Sequence, residues 1–322
     1  MGITLQDPRT HARLEHRPDG LYKGDECVFP FVNGAFRCVE GANYSDTFGW
    51  QWNRFDRTQL DSHSGINVSE DRLFAETGWS REDLEGSNVL EVGSGAGRFS
   101  EVLLKAGANV YSVDFSDAVS ANARSNEEDS ERLHLFQASI YEMPFAPRSF
   151  DRVLCLGVLQ HTPDFRASVR ALYEQVAPGG ELVIDFYPIN GWWTKINGKY
   201  IVRPLTRRLP PKLLFKCIEV AAPPLSSAAD ALAARRLSAI SRFIPVATRA
   251  GLPDGLNGEQ LREWVVLDTY DMLSPAHDHP QRLKTVARWL VEDGAQLELC
   301  GEVYYGHGLS ATVVRARRPA HS

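Results

Sequence analysis

Four side chains stand where short apolar runs end or pass, and each could do chemistry: Glu91, Asp114, His161 and Asp185. Glu91 lies inside Val89-Leu90-Glu91-Val92-Gly93-Ser94-Gly95-Ala96-Gly97-Arg98-Phe99, an apolar run followed by glycine at every second position. Glycine lets the backbone turn sharply and approach a ligand, because no Cβ intervenes. The amphipathic run from Phe99 to Lys105 would start a helix whose free N–H groups face the same crevice. Asp114 ends the next apolar run, 21 residues after Gly93. A carboxylate at that spacing accepts hydrogen bonds from ribose hydroxyls. His161 follows a later apolar run and is the candidate general base. Asp185 lies within the run after that, placed to orient the imidazole or hold a second reactant.

These residues need elements to carry them. Asn88–Val92, Ala108–Asp114, Leu133–Ala138, Asp151–Gly157 and Glu181–Tyr187 read as strands. Between them Arg98–Ala106, the polar stretch to Glu131 and a helix capped by Thr162-Pro163 read as helices. Such alternation predicts a parallel sheet with helices on both faces. Residues 188–275 hold helical stretches broken by prolines and no clear strand. A helix over Gln281–Glu292 and strands over Gln296–Val303 and Leu309–Arg315 then close the sheet. Before residue 86, residues 1 to about 20 read as a loosely packed arm and Leu21–Val39 as a small meander. An aromatic cluster follows (Tyr44, Phe48, Trp50, Trp52, Phe55), then a helix over Ser69–Gly78 and a capping box at Ser80 and Asp83. The expected divisions are therefore 1–85, 86–187, 188–275 and 276–318.

Composition narrows the class. The chain has 322 residues, a net charge of -6 and 43% hydrophobic residues, the profile of a globular protein. The N-terminus has no apolar signal segment, and no run approaches the roughly 20 residues of a membrane span. The five cysteines (Cys27, Cys38, Cys155, Cys217, Cys300) form no C-x-x-C pair, so neither disulfides nor a metal site is expected. A cytoplasmic location follows as the simplest expectation. The acidic balance and lack of a binding module argue against nucleic acid.

The glycine loop fits NAD or an adenosyl cofactor. Its spacing, Glu91-x-Gly93-x-Gly95-x-Gly97, is not G-x-G-x-x-G, and Glu91 would repel a pyrophosphate. A sulfonium and an ammonium would instead be favoured there. On these residues, with Val113-Asp114, Met143-Pro144-Phe145, Ser149-Phe150-Asp151, Gly157 through Gln160-His161-Thr162-Pro163-Asp164, and Pro178-Gly179-Gly180, the chain resembles class I S-adenosylmethionine-dependent methyltransferases. The resemblance covers about 87–187. It implies an α/β fold: a Rossmann-like seven-stranded methyltransferase sheet with an N-terminal extension and a helical insertion between strands 5 and 6. It implies that Glu91, Gly93, Ser94 and Gly95 hold the amino acid part of the cofactor and Asp114 the ribose. Phe115, Ser139, Ile140 and Leu156 join the cofactor-binding positions, Ser139 and Ile140 against adenine. Many relatives have Asp where this chain has Ser139, so charge assistance is lost there. The segment Tyr44 to Trp52 resembles the lead-in of bacterial small-molecule members, with Tyr44 and Gln51 the polar members expected to face the site.

The reading that follows is S-adenosylmethionine-dependent methylation of a small molecule, O-directed, in specialised metabolism or sugar and glycan modification, with His161 and Asp185 catalytic. Asp271 and His277 are further acceptor-site candidates. N-methylation of an amine or guanidine is the alternative, and a non-catalytic S-adenosylmethionine-binding protein is the alternative of another class. From Asn190 to Ala250 there are eleven Lys or Arg against two acids. That stretch, with Trp192, Trp193, Tyr200 and Phe215, fits an anionic acceptor, a membrane surface, or a solvated packing face. The last is preferred on sequence, with the chain a monomer or homodimer.

Overall fold

The computed structural model describes residues 2–129 and 131–320. Among them run eleven strands: β1 (Glu15–Arg17), β2 (Gly20–Lys23), β3 (Glu26–Val32), β4 (Ala35–Arg37), β5 (Asn88–Val92), β6 (Asn109–Asp114), β7 (Leu133–Gln137), β8 (Phe150–Cys155), β9 (Val176–Asp185), β10 (Gln296–Tyr304) and β11 (Ser310–Arg317). They form one sheet in the order β1-β2-β3-β4-β7-β6-β5-β8-β9-β11-β10. β7, β6, β5, β8 and β9 pair in parallel, and β11 closes antiparallel to β9. Val89, Leu90, Val110, Val153 and Leu154 are fully buried, as expected of strands covered on both faces. Alternate residues feed two cores: Leu90, Val113 and Val153 on one face, and Val89, Val110 and Leu154 on the other.

The strand order reverses between β5 and β8, so the crevice lies at their carboxyl ends. The glycine loop follows β5 and Gly157–His161 follows β8, which brings both sets of chemical residues to one edge.

Four features depart from the sequence reading. The seven core strands are part of a larger sheet, because the meander joins them through a parallel pairing of β4 with β7. Residues 2–20 are not a loose arm: Leu5 and Leu14 are buried, and Leu5 bridges to Phe145. Single apolar residues in a polar stretch gave no periodicity to detect. The helix after β8 spans Phe165–Gln175, and Asp164 caps it by accepting from the Ala167 N–H at 3.0 Å, so Thr162 is not the cap. Leu159–His161 form a 3₁₀ turn instead. β9 starts at Val176 and runs through Pro178-Gly179-Gly180, with a register shift against β8 that absorbs them. The capping box at Ser80 and Asp83 forms as read, at 2.9 and 3.1 Å.

The insertion is helical. Helices Gly198–Thr206, Pro211–Ala234 and Gly258–Leu273 build a core of their own from Leu214, Phe215, Ile218, Trp264, Leu267 and Tyr270. Phe55 from the N-terminal segment packs into it. The chain then returns beside β9: the Gln281 N–H donates to the Tyr187 carbonyl (3.0 Å) and the His279 N–H to the Gln160 carbonyl (2.7 Å).

Candidate active site

A cavity of about 680 Å³ lies where the carboxyl ends of the central strands, the N-terminal helix Asp46–Arg54 and the insertion meet. Gly93, at φ +81°, sits so close to the turn after β8 that an added Cβ would lie 2.2 Å from the Val158 side chain. A Cβ on Gly95 would meet the Trp52 indole at 3.1 Å. Gly93→Ala is therefore expected to strain both backbone and contact. Loss of S-adenosylhomocysteine binding in a calorimetric titration would show it, and unchanged affinity would contradict it.

The expected cofactor positions divide on inspection. Tyr44, Gln51, Gly93, Ser94, Gly95, Asp114, Phe115, Ile140 and Leu156 all line the cavity. Gln51 is fully buried with neither amide atom hydrogen-bonded, and the Ser94 Oγ is likewise buried and unpartnered. Buried polar groups without partners are costly, and both of these residues line the cavity. Asp114 is more occupied than the spacing suggested. One oxygen accepts from the Ser116 N–H (2.8 Å) and hydroxyl (2.7 Å), the other from the Gly95 N–H (3.0 Å). Of its roughly four acceptor sites one is left, enough for one ribose hydroxyl rather than two. Burial raises its carboxyl, opposed by these hydrogen bonds.

Glu91 and Ser139 do not line the cavity. Glu91 lies behind the loop, 2% exposed, accepting from the Ser100 and Ser112 hydroxyls through one oxygen while the other has no partner. Burial pushes its carboxyl up to about 7, against those hydroxyls and helped by Asp114. A carboxyl raised on folding contributes stability below its unfolded value near 4.5 and loses it as pH rises towards 7. Glu91→Gln is thus expected to raise Tm above neutral pH and not at acid pH, read by thermal melts. The Ser139 hydroxyl accepts from the Tyr141 N–H (3.2 Å), a turn role, while its neighbours Ala138 and Ile140 face the cavity.

His161 is 6% exposed and lines the cavity between Phe48 and Tyr187. Its Nδ1 lies 3.1 Å from the His277 carbonyl, which can only accept. That assigns the proton to Nδ1 and leaves Nε2, buried and unpartnered, with a free lone pair. Burial lowers the imidazole below its usual range; Asp271, the His277 carbonyl and Asp278 oppose this. His277 thus acts through its backbone. Asp185 does not touch His161. Its carboxylate takes the Gly157 N–H and the Arg72 guanidinium, and Arg72 also pairs with Glu76 at 2.7 Å.

Asp271, an acceptor-site candidate from the sequence, lines the cavity, but its charged neighbours were not anticipated. Arg72 and Arg98 face Asp268 and Asp271, which stand three residues apart on one face of helix Gly258–Leu273. Arg98 donates to Gln59 (3.0 Å) and Ser69 (3.1 Å), and burial brings its guanidinium down to about 10. Burial, then Asp271, pushes Asp268 up to about 7. The position of Arg98 directly after Gly97 was the available signal for that residue; Arg72 sits in an ordinary-looking helix and gave none.

Residues 90–184 match the family described as a methyltransferase domain. That match covers less than a third of the chain. Over 132 residues it is 34% identical to the ubiquinone biosynthesis O-methyltransferase of Pseudomonas aeruginosa (strain UCBPP-PA14), covering 39% of this chain and 57% of that one. Over 135 residues it is 35% identical to the same-named protein of Pseudomonas entomophila (strain L48), with the same coverage. The match thus spans little more than half of these relatives. Magnesium protoporphyrin IX methyltransferase from Synechocystis PCC 6803 with bound SAH aligns at a TM-score of 0.47 and 15% identity, over 85% of this chain and 96% of that one. The matched segment covers the glycine loop, Asp114, His161 and most of β9, whereas the N-terminal helix and the insertion lie outside it.

Proposed function

We propose that this chain is an S-adenosylmethionine-dependent O-methyltransferase of a small molecule, with His161 as general base. The observation that carries the reading is His161: its Nδ1 is tied to a carbonyl while Nε2 is buried and unpartnered, on a residue that lines the same cavity as the glycine loop. Ser94, Gln51 and the glycine cradle suit the cofactor, Asp114 has one acceptor site for its ribose, and Ile140, Leu156 and Phe115 are apolar enough for adenine. When bound, S-adenosylmethionine supplies an activated methyl group.

The chain's own part is alignment and proton removal. A hydroxyl acceptor placed against Nε2 hands its proton to a neutral imidazole already in the right tautomer. The His277 carbonyl holds the resulting imidazolium by its Nδ1–H, and Asp271 stabilises the charge. Phe48, Tyr187 and the insertion residues Val246, Ala247 and Trp264 wall out water. Arg72, Arg98, Asp268 and Asp271 give the acceptor half both signs of charge, which fits a polar acceptor. The Pseudomonas relatives are named as O-methyltransferases, which supports oxygen as the target. Incubation with methyl-labelled cofactor and pooled hydroxylated acceptors is expected to put the label on oxygen with release of S-adenosylhomocysteine. Label on nitrogen alone would overturn the base assignment.

A further inference from the structure

We infer that the insertion docks on an anionic lipid surface. Eighteen large hydrophobic residues are exposed among those described, and eleven of them fall between Trp192 and Phe243. Trp192 is 81% exposed, Val220 77%, Leu205 68% and Ile201 65%. Helix Pro211–Ala234 buries Leu214, Phe215, Ile218 and Ala222 and turns Leu213, Cys217, Val220 and Pro224 outward at helical spacing, so both of its faces are apolar.

These segments are contiguous. The Arg242 guanidinium donates to the Trp193 carbonyl (3.3 Å), the Gly198 N–H donates to the Arg242 carbonyl (3.0 Å), and the turn at Ser238–Ser241 follows the long helix directly. Exposed cations surround the apolar residues: Arg207, Arg208, Lys212, Lys216, Arg235 and Arg236. Among the described residues no helix is long and apolar enough to cross a membrane. A paired tryptophan, aliphatic residues and a cationic rim on helices of this kind suit the headgroup region of an anionic bilayer. A second copy of the chain suits it less, because a two-fold contact would set the same cations against each other.

A groove lined by Asn197, Lys199, Arg242 and Ile244 shares Val246, Thr248 and Met272 with the main cavity. Resting on the methyl-transfer reading, this gives a lipid-held acceptor a route inward. Docking itself does not rest on that reading, and vesicle binding is read without turnover.

Flotation of the full chain with vesicles tests it. Binding is expected to mixed phosphatidylcholine–phosphatidylglycerol vesicles, weaker binding to phosphatidylcholine alone, and release by added salt. Trp192→Ser with Val220→Ser, and separately Arg207→Glu with Arg208→Glu, are each expected to lower the bound fraction roughly tenfold while S-adenosylhomocysteine binding is kept. No flotation with the anionic vesicles, or variants that float like the parent, would overturn the inference. So would a dimer in sedimentation that Trp192→Ser dissolves, which would assign the surface to a second copy.

Discussion

Replacing His161 by alanine lowers kcat by about 10²- to 10⁴-fold, the range for loss of a positioned general base, and leaves S-adenosylhomocysteine affinity nearly unchanged. Among the described residues its side chain has no other polar partner: Nδ1 meets the His277 carbonyl and Nε2 is unpartnered. His161→Gln, which keeps volume near Phe48 and Tyr187, is expected to lose as much. The pH profile separates this from a packing role. A base works when deprotonated, so the parent's kcat rises with pH through the imidazole's lowered range and then levels. The variants lose that limb. A variant that retains both turnover and the limb would remove His161 from the chemistry.

The second large effect concerns stability. Arg72 joins Glu76, whose side chain is 0% exposed, to Asp185, whose side chain is 5% exposed. Removing the cation leaves two buried carboxyl groups without the guanidinium that pairs with both. Arg72→Ala is therefore expected to cost about 3–5 kcal/mol, the usual penalty for breaking a buried pair from one side. Burial already pushes the Glu76 carboxyl up, with Arg72 pulling against it. Without Arg72 it rises further, and a carboxyl raised on folding favours the folded state at low pH. The deficit should therefore grow as pH rises through about 8, where Glu76 ionises in the parent, and be smaller below it. Urea midpoints at neutral pH and above pH 8 measure it; an unchanged midpoint at both would show the triad to be dispensable. The same geometry explains why Asp185 is not available to orient His161.

Local signals in the sequence were enough for the βα core. Apolar runs ending in Glu91-Val92, Asp114 and Asp185, with glycines and prolines between, specify strands and turns within a few residues. What joins distant parts was not legible. The parallel pairing of β4 with β7 depends on contacts between residues about 100 positions apart, such as Phe36 with Phe136. The His277 carbonyl reaches His161 only because the chain returns from the insertion beside Tyr187. Ser139 and Glu91 were assigned by position in a motif, and position does not say which way a side chain turns. Gln51 lines the cavity because the helix that carries it buries its Gly49 and Gln51 face, and Tyr44 lines it from just before that helix. The basic stretch read as a solvated face on charge alone; the outward turn of Trp192, Ile201 and Val220 is information only the fold contains.

The central claim is that the cavity at the β5–β8 switch point holds a sulfonium cofactor. Calorimetric titration of the full chain with S-adenosylhomocysteine, beside NAD and beside Gly93→Ala, tests it most directly. Saturable binding of S-adenosylhomocysteine at one site, no binding of NAD, and loss of binding in Gly93→Ala are the expected results. No heat with S-adenosylhomocysteine, or equal affinity in Gly93→Ala, would contradict the account.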